Sequence, residues 1–344
     1  MARARLEYDR RTEPDFHSRS PILALAKVTA AAGGRYISHI RSEDRWFWDA
    51  IDEIITIGRE ARLPVEVSHL KLAMLPLWGQ ADSLLRVLDA ARASGIEITA
   101  DVYPYTYWQS TLMVLFPKRD FDNRAEAEKV LREIAKPEGL LSDVFAAQPE
   151  YAGKTVAEIA KLRREDPAAM LMGLIKESQT FSRRTANHAM PTRVESVVAT
   201  SMDEADVQRV LAWEHSNVCS DGELDGPHPR GYGAFPRVLG RYVRELRVLL
   251  LEQAVRKMSA LAAEHVGIAR RGTIAPGNLA DLVLFDPATV TDHATPAEPH
   301  LVSTGIVRVW VNGQTVWRDG RTTGNRPGRL IRRRSRFSTG RPAS

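Results

Sequence analysis

The sequence predicts an α/β fold, a TIM-like parallel barrel followed by a small C-terminal β module. Three observations carry that prediction. Short β-branched runs alternate with helix-length amphipathic segments from residue 21 to about 100. Two of those runs end in histidine thirty residues apart, His39 in Tyr-Ile-Ser-His-Ile-Arg-Ser-Glu and His69 in Val-Glu-Val-Ser-His-Leu-Lys. From Gly272 the pattern changes to short strands punctuated by turn residues.

Taken in order, Ser20-Pro21 opens a helix with a cap-like serine before a first-turn proline, and Gly33-Gly34 stops it. A strand over residues 35–38 follows, then a helix over residues 46–61 with Trp46, Ile51, Ile54, Ile55 and Ile57 among its apolar positions. The next strand falls at 65–68, a helix at 81–94 and a strand at 96–103. Periodicity weakens between about 106 and 195, where only 125–135 and 156–164 read as helices. So long a stretch exceeds an ordinary connection and is expected to form a lid or insertion. The alternation resumes with a strand at 197–200, a helix at 202–213 and a strand at 217–220, before helices near 237–245 and 250–266. Beyond 272, strands are expected at 272–277, 280–286, 306–311 and 315–317, with Asn312-Gly313 marking a hairpin. The expected organisation is a barrel portion over 1–271, a β-sandwich portion over 272–330 and a basic, poorly ordered tail over 331–344.

The chain has 344 residues, 44% hydrophobic and 26% charged, enough for a substantial core. Its net charge of +5 does not imply a nucleic-acid partner. Residues 329–344 hold six arginines and no acid, so the remainder carries about −1, and no aromatic-basic platform accompanies them. No apolar run approaches a membrane span, and the N-terminus lacks the apolar core of a secretory signal. The single cysteine, Cys219, allows no internal disulfide, and a cytoplasmic location is expected.

Parallel strands of a barrel present their C-terminal ends at one rim, where active sites of this architecture lie. His39 and His69 are therefore expected to meet there and bind a metal, since neutral imidazole is a common zinc ligand. Asp221, after the strand Asn217–Ser220 and before Gly222, reaches the same rim. As a turn-forming Asp-Gly it is unremarkable; as a rim carboxylate it can serve as general base and then acid for an amide hydrolysis. Lys71, Tyr103, Tyr105, Ser110 and Arg230 form a second group. Singly, each suits a surface or packing role; around a metal they suggest a pocket for an anionic substrate. His228 stands close enough in sequence to line it.

At these residues the chain resembles the N-acyl-D-amino-acid deacylases (D-aminoacylases) of the amidohydrolase superfamily. The likeness rests on Tyr36–Glu43, Ser68–Lys71, Asp101-Val-Tyr-Pro-Tyr105 with Ser110-Thr111, Met202–Gln208, Ser220-Asp221-Gly222, Pro227-His-Pro-Arg230 and Gly233–Gly240. It ends with Gly272–Asp286 and Trp310–Gly313. It covers about residues 6–332. The resemblance implies zinc-dependent hydrolysis of small N-acyl-D-amino acids to a D-amino acid and a carboxylate. It assigns His39 and His69 as zinc ligands, Asp221 as catalytic acid and base, and Lys71, Tyr103, Ser110 and Arg230 as substrate-binding residues.

The departures are specific. The family pattern also includes a His-x-His and an early-strand cysteine; no His-x-His occurs here, and Cys219 does not match that cysteine. The likeness starts in the family's middle, and about five barrel strands are legible where eight are expected. The chain is thus expected to be N-terminally truncated relative to the family, with self-association or a missing N-terminal part covering an incomplete barrel. The alternatives are a cyclic amidase of the dihydroorotase or hydantoinase type, and a non-catalytic remnant or partner subunit.

Overall fold

The computed structural model describes residues 19–185 and 193–331; the basic tail beyond 331 lies outside them. The elements that position the site come first in the chain. Helix α1 (Arg19–Ala31) ends at Gly33, whose φ of 65° reverses the chain into β1 (Tyr36–Ser38). Helix α2 (Phe47–Ala61) buries Phe47, Ile51, Ile54 and Ile57, a stripe three to four residues apart. Each such side chain contributes roughly 1.5–3 kcal/mol on burial. Then come β2 (Val65–Val67), α3 (Ala81–Ala93) and β3 (Ile98–Val102).

These strands form one parallel sheet with β8 (Ser216–Val218), in the order β1-β2-β3-β8. Its register pairs Ile37 with Glu66, Glu66 with Thr99, and Asp101 with Asn217. Because strand side chains alternate, Val65, Val67, Ile98, Ala100 and Val218 form the opposite, fully buried face.

Between β3 and β8 the chain builds a second sheet, which sequence periodicity did not reveal. It comprises β4 (Tyr107–Ser110), β5 (Leu140–Phe145), β6 (Lys154–Thr155) and β7 (Glu195–Thr200), ordered β4-β7-β5-β6 and antiparallel throughout. Helices α4 (Arg124–Glu133), α5 (Val156–Arg163) and α6 (Pro167–Thr185) belong to this stretch. Residues 197–200, expected to resume the barrel, are instead the antiparallel partner of β4 and β5. Four parallel strands, not five, are therefore present among the described residues. Helix α6 was also missed, although Ala168, Leu171, Leu174, Ile175 and Ser178 give it a buried stripe of helical period.

Glu195 opens β7 in a buried position and takes the Leu112 backbone N–H at 3.0 Å. Burial, with the Asp143 charge adding to it, pushes its carboxyl up to about 7. The folded-state pKa exceeds the unfolded value near 4.3, so the stability linked to this group is present below that value and lost as pH rises through 7. Glu195→Gln is accordingly expected to raise the thermal midpoint at pH 8, by a free energy on the order of 3 kcal/mol, and to leave it nearly unchanged at pH 4. Equal shifts at the two pH values in thermal melts contradict this.

Helix α7 (Glu204–Ala212) precedes β8, and α8 (Arg230–Arg237) continues as a π-helical stretch to Glu245. Helices α9 (Leu251–Met258) and α10 (Ala260–Val266) complete this part. The C-terminal module is one antiparallel sheet of β9 (Leu282–Phe285), β10 (Ile306–Val311), β11 (Gln314–Arg318) and β12 (Arg321–Thr322), in the order β12-β11-β10-β9. Asn312 and Gly313, with φ of 48° and 78°, make its two-residue hairpin as expected, whereas 272–277 forms no strand. No described helix is long and apolar enough to cross a membrane.

Candidate metal centre and substrate pocket

Parallel pairing aligns the ends of β1, β2, β3 and β8, and the candidate residues follow directly. His39 comes one residue after β1, His69 two after β2, Tyr103 one after β3 and Asp221 three after β8. His39 Nδ1 lies 3.1 Å from His69 Nε2, so the predicted pair does meet. Glu43, on the loop between β1 and α2, completes the group. Its Oε1 lies 2.9 Å from His69 Nδ1 and 3.5 Å from His39 Nδ1. One ligand atom from each of the three falls within 4.8 Å of the others.

Lys71 joins the cluster. Its Nζ is 2.5 Å from Glu43 Oε1 and 2.6 Å from His69 Nδ1. Burial alone would raise the Glu43 carboxyl, but His39, Lys71 and His69 outweigh it and hold the group well below the usual carboxylate range. Glu43 is thus a charged acceptor facing two imidazoles. It stands four residues after His39 in the same motif, and that spacing was the signal available in the sequence.

Across the rim, Asp221 Oδ2 is 2.7 Å from Arg230 Nη1. Asp221 adopts a left-handed φ of 46°, and the loop it begins presses on the first turn of α8. A Cβ on Gly222 would lie 2.4 Å from Gly231 Cα, so only glycine permits the approach that pairs Asp221 with Arg230. The buried Nε of Arg230 has no hydrogen-bond partner among the described residues.

Tyr103 lies between the two cations, its ring centroid 4.7 Å from the Arg230 guanidinium carbon and 5.5 Å from Lys71 Nζ. Among the described residues its buried hydroxyl has no hydrogen-bond partner, and burial pushes its pKa well above 10. It is a neutral phenol with a proton to donate. Ser110 lines the same cleft from β4.

Two other residues take structural places. Tyr105 is buried beneath Arg237, whose guanidinium carbon is 4.8 Å from its ring centroid. His228 accepts the Arg230 backbone N–H at Nδ1, 3.0 Å, so its Nε2 donates to the Tyr107 carbonyl at 2.9 Å. Burial, reinforced by Arg230, lowers its pKa to about 3 and keeps it neutral. It ties the Asp221 loop to the lid sheet instead of lining the pocket. The cleft that holds the site is about 3760 Å³, bounded also by α1, residues 258–272 and the C-terminal sheet. That is several times an ordinary small-molecule pocket, and the site occupies only part of its wall.

A parallel sheet with imidazoles and a carboxylate at one rim defines a class, and sequence comparison agrees with it. The amidohydrolase family model matches residues 23–317, and the chain belongs to that family. Among its relatives, the N-acyl-D-glutamate deacylase of Alcaligenes xylosoxydans xylosoxydans is 37% identical over 311 residues, 90% of this chain and 56% of that protein. A D-aminoacylase crystal structure superposes with a TM-score of 0.74 at 35% identity, covering 90% of this chain and 58% of the other. The N-acyl-D-glutamate deacylase of Bordetella bronchiseptica, solved with zinc and a phosphonate mimic of the tetrahedral intermediate, gives 0.72 at 34% identity, over 88% and 57%. The chain therefore spans little more than half the length of the relatives it matches.

Proposed function

We propose that this chain carries the zinc-binding and substrate-binding rim of an N-acyl-D-amino-acid deacylase. The observation that carries the reading is the meeting of His39, His69 and Glu43 at the ends of adjacent parallel strands, with the Asp221–Arg230 pair on the same rim. Two imidazoles and an ionised carboxylate within 4.8 Å are a donor set that suits zinc. His39 and His69, with Glu43 in reach, would hold the ion. When bound, zinc supplies Lewis acidity, polarising an amide carbonyl and making water more acidic.

The protein's own groups do the rest. Lys71, Arg230 and the Tyr103 hydroxyl offer donors for the carboxylate and amide of an N-acyl amino acid, and Ser110 supplies a further hydroxyl from the lid. Arg230 can receive that carboxylate while Nη1 keeps Asp221 in place. Asp221 takes a proton from the attacking water and delivers it to the departing amine nitrogen as the carbonyl carbon–nitrogen bond breaks. One water is consumed; a carboxylate and a D-amino acid leave.

The test is zinc titration of the purified full chain, followed by assays on N-acetyl-D- and N-acetyl-L-amino acids and cyclic ureides. Stoichiometric zinc and turnover of linear D-substrates are expected. Turnover of cyclic ureides alone, or no zinc uptake, overturns the reading. Arg230→Lys keeps the charge but cannot hold Asp221 and a carboxylate through a planar fork. Its expected effect is a KM raised about tenfold to a hundredfold, the worth of a charge-assisted hydrogen bond. An unchanged KM in steady-state kinetics removes Arg230 from substrate binding.

Two further parts of the proposal concern surroundings. The size of the cleft supports a cover supplied by self-association or further polypeptide, checked by light scattering coupled to gel filtration. The lone, partly buried Cys219 fits a reducing, cytoplasmic setting, checked by fractionation of cells expressing the full chain.

A further inference from the structure

Directly behind the rim, the parallel sheet carries polar groups that the proposed chemistry does not use. Asp101 on β3 shares its strand face with Glu66 on β2 and Asn217 on β8. Its Oδ1 accepts the backbone N–H of His69 at 2.6 Å, and its own carbonyl accepts the next N–H, that of Leu70, at 2.8 Å. One residue therefore holds two consecutive amides at the end of the neighbouring strand. Between them His69 adopts a left-handed φ of 41°, which a side-chain-bearing residue keeps only when its surroundings impose it. That turn carries the imidazole off the end of β2 to within 3.1 Å of His39.

Asp101 is itself fixed. The Glu66 carboxyl from β2 and the Cys219 thiol from the end of β8 both interact with its side chain.

We propose that Asp101 is a positioning residue, a clamp on the His69 backbone that fixes the left-handed turn and aims the imidazole at the metal. The proposal rests on the zinc-site reading above, but its clamp is testable without zinc. If the clamp operates, the His69 amide in the metal-free full chain exchanges with solvent as slowly as that of Leu70. Exchange at the rate of an unprotected amide overturns it. Zinc affinity, measured by chelator competition, supplies the second readout. Asp101→Ala removes the acceptor, and zinc binding is expected to weaken about tenfold to a hundredfold, as for other groups that orient a ligand. Asp101→Asn keeps an oxygen acceptor and is expected to retain both the slow amide and near-wild-type zinc affinity. An alanine variant that binds zinc as tightly as wild type, or an asparagine variant with a fast His69 amide, refutes the clamp. Where the alanine variant does not fold, the wild-type exchange rate and the asparagine variant still decide. A wild-type chain that takes up no zinc refutes the metal reading alone, because the exchange rate of the His69 amide is independent of it.

Discussion

Replacing His69 by alanine is expected to weaken zinc binding about a hundredfold and to remove turnover with it. A structural zinc site is worth roughly 10–16 kcal/mol over about four ligands, so each ligand accounts for a few kcal/mol. His69 touches every other member of the cluster: its Nε2 faces His39 at 3.1 Å, and its Nδ1 faces Glu43 at 2.9 Å and Lys71 at 2.6 Å. Truncating it leaves the Glu43 carboxylate with Lys71 as its nearest cation, so the remaining pocket turns from a metal site into an ion pair. His39→Ala is milder in this respect, since His69 keeps its contact with Glu43. Zinc measured by chelator competition, with far-UV circular dichroism to show that the fold persists, checks the prediction. A His69→Ala chain that holds zinc as the wild type does would place the metal elsewhere.

The parts of this molecule that were legible in the sequence are those built from neighbours in the chain. Residues 36–102 fold as two consecutive βα steps and a third strand, each strand neighbouring a helix next to it in the chain, so hydrophobic period and glycine stops suffice. His39 and His69 were readable because strand ends in a parallel sheet point to one rim whatever the sheet's closure. The lid sheet was not readable, because β4 pairs with β7 across nearly ninety residues, and long-range pairing leaves no trace in a short window. Val197–Thr200 has the composition of a barrel strand for the same reason that it is a central strand of the lid: Val197, Val198 and Ala199 are buried on both faces. Glu43 was missed because it sits in a loop, five residues beyond the end of β1, where spacing follows no period. Its role emerges only once Lys71 and both imidazoles surround it.

Asp221→Asn should separate chemistry from binding more cleanly than any other change at this rim. The amide keeps an oxygen that can accept from Arg230 Nη1, now 2.7 Å away, so the loop and the fork remain as they are. It loses the capacity to carry a proton between water and the leaving nitrogen, a function worth about a hundredfold to ten-thousandfold in rate. Asp221 lies outside the His39–Glu43–His69 group, so zinc affinity is expected to stay at its wild-type value. The expected pattern is thus a kcat lowered by two to four orders of magnitude, with KM and bound zinc nearly unchanged. Each alternative leaves a different signature. If Asp221 were a zinc ligand, metal would be lost along with rate. If it served only as a counter-ion holding Arg230 in place, Asp221→Asn would raise KM and spare kcat, matching the pattern expected of Arg230→Lys. Measuring zinc content, KM and kcat on the same preparation therefore distinguishes proton carrier, ligand and tether at a single residue.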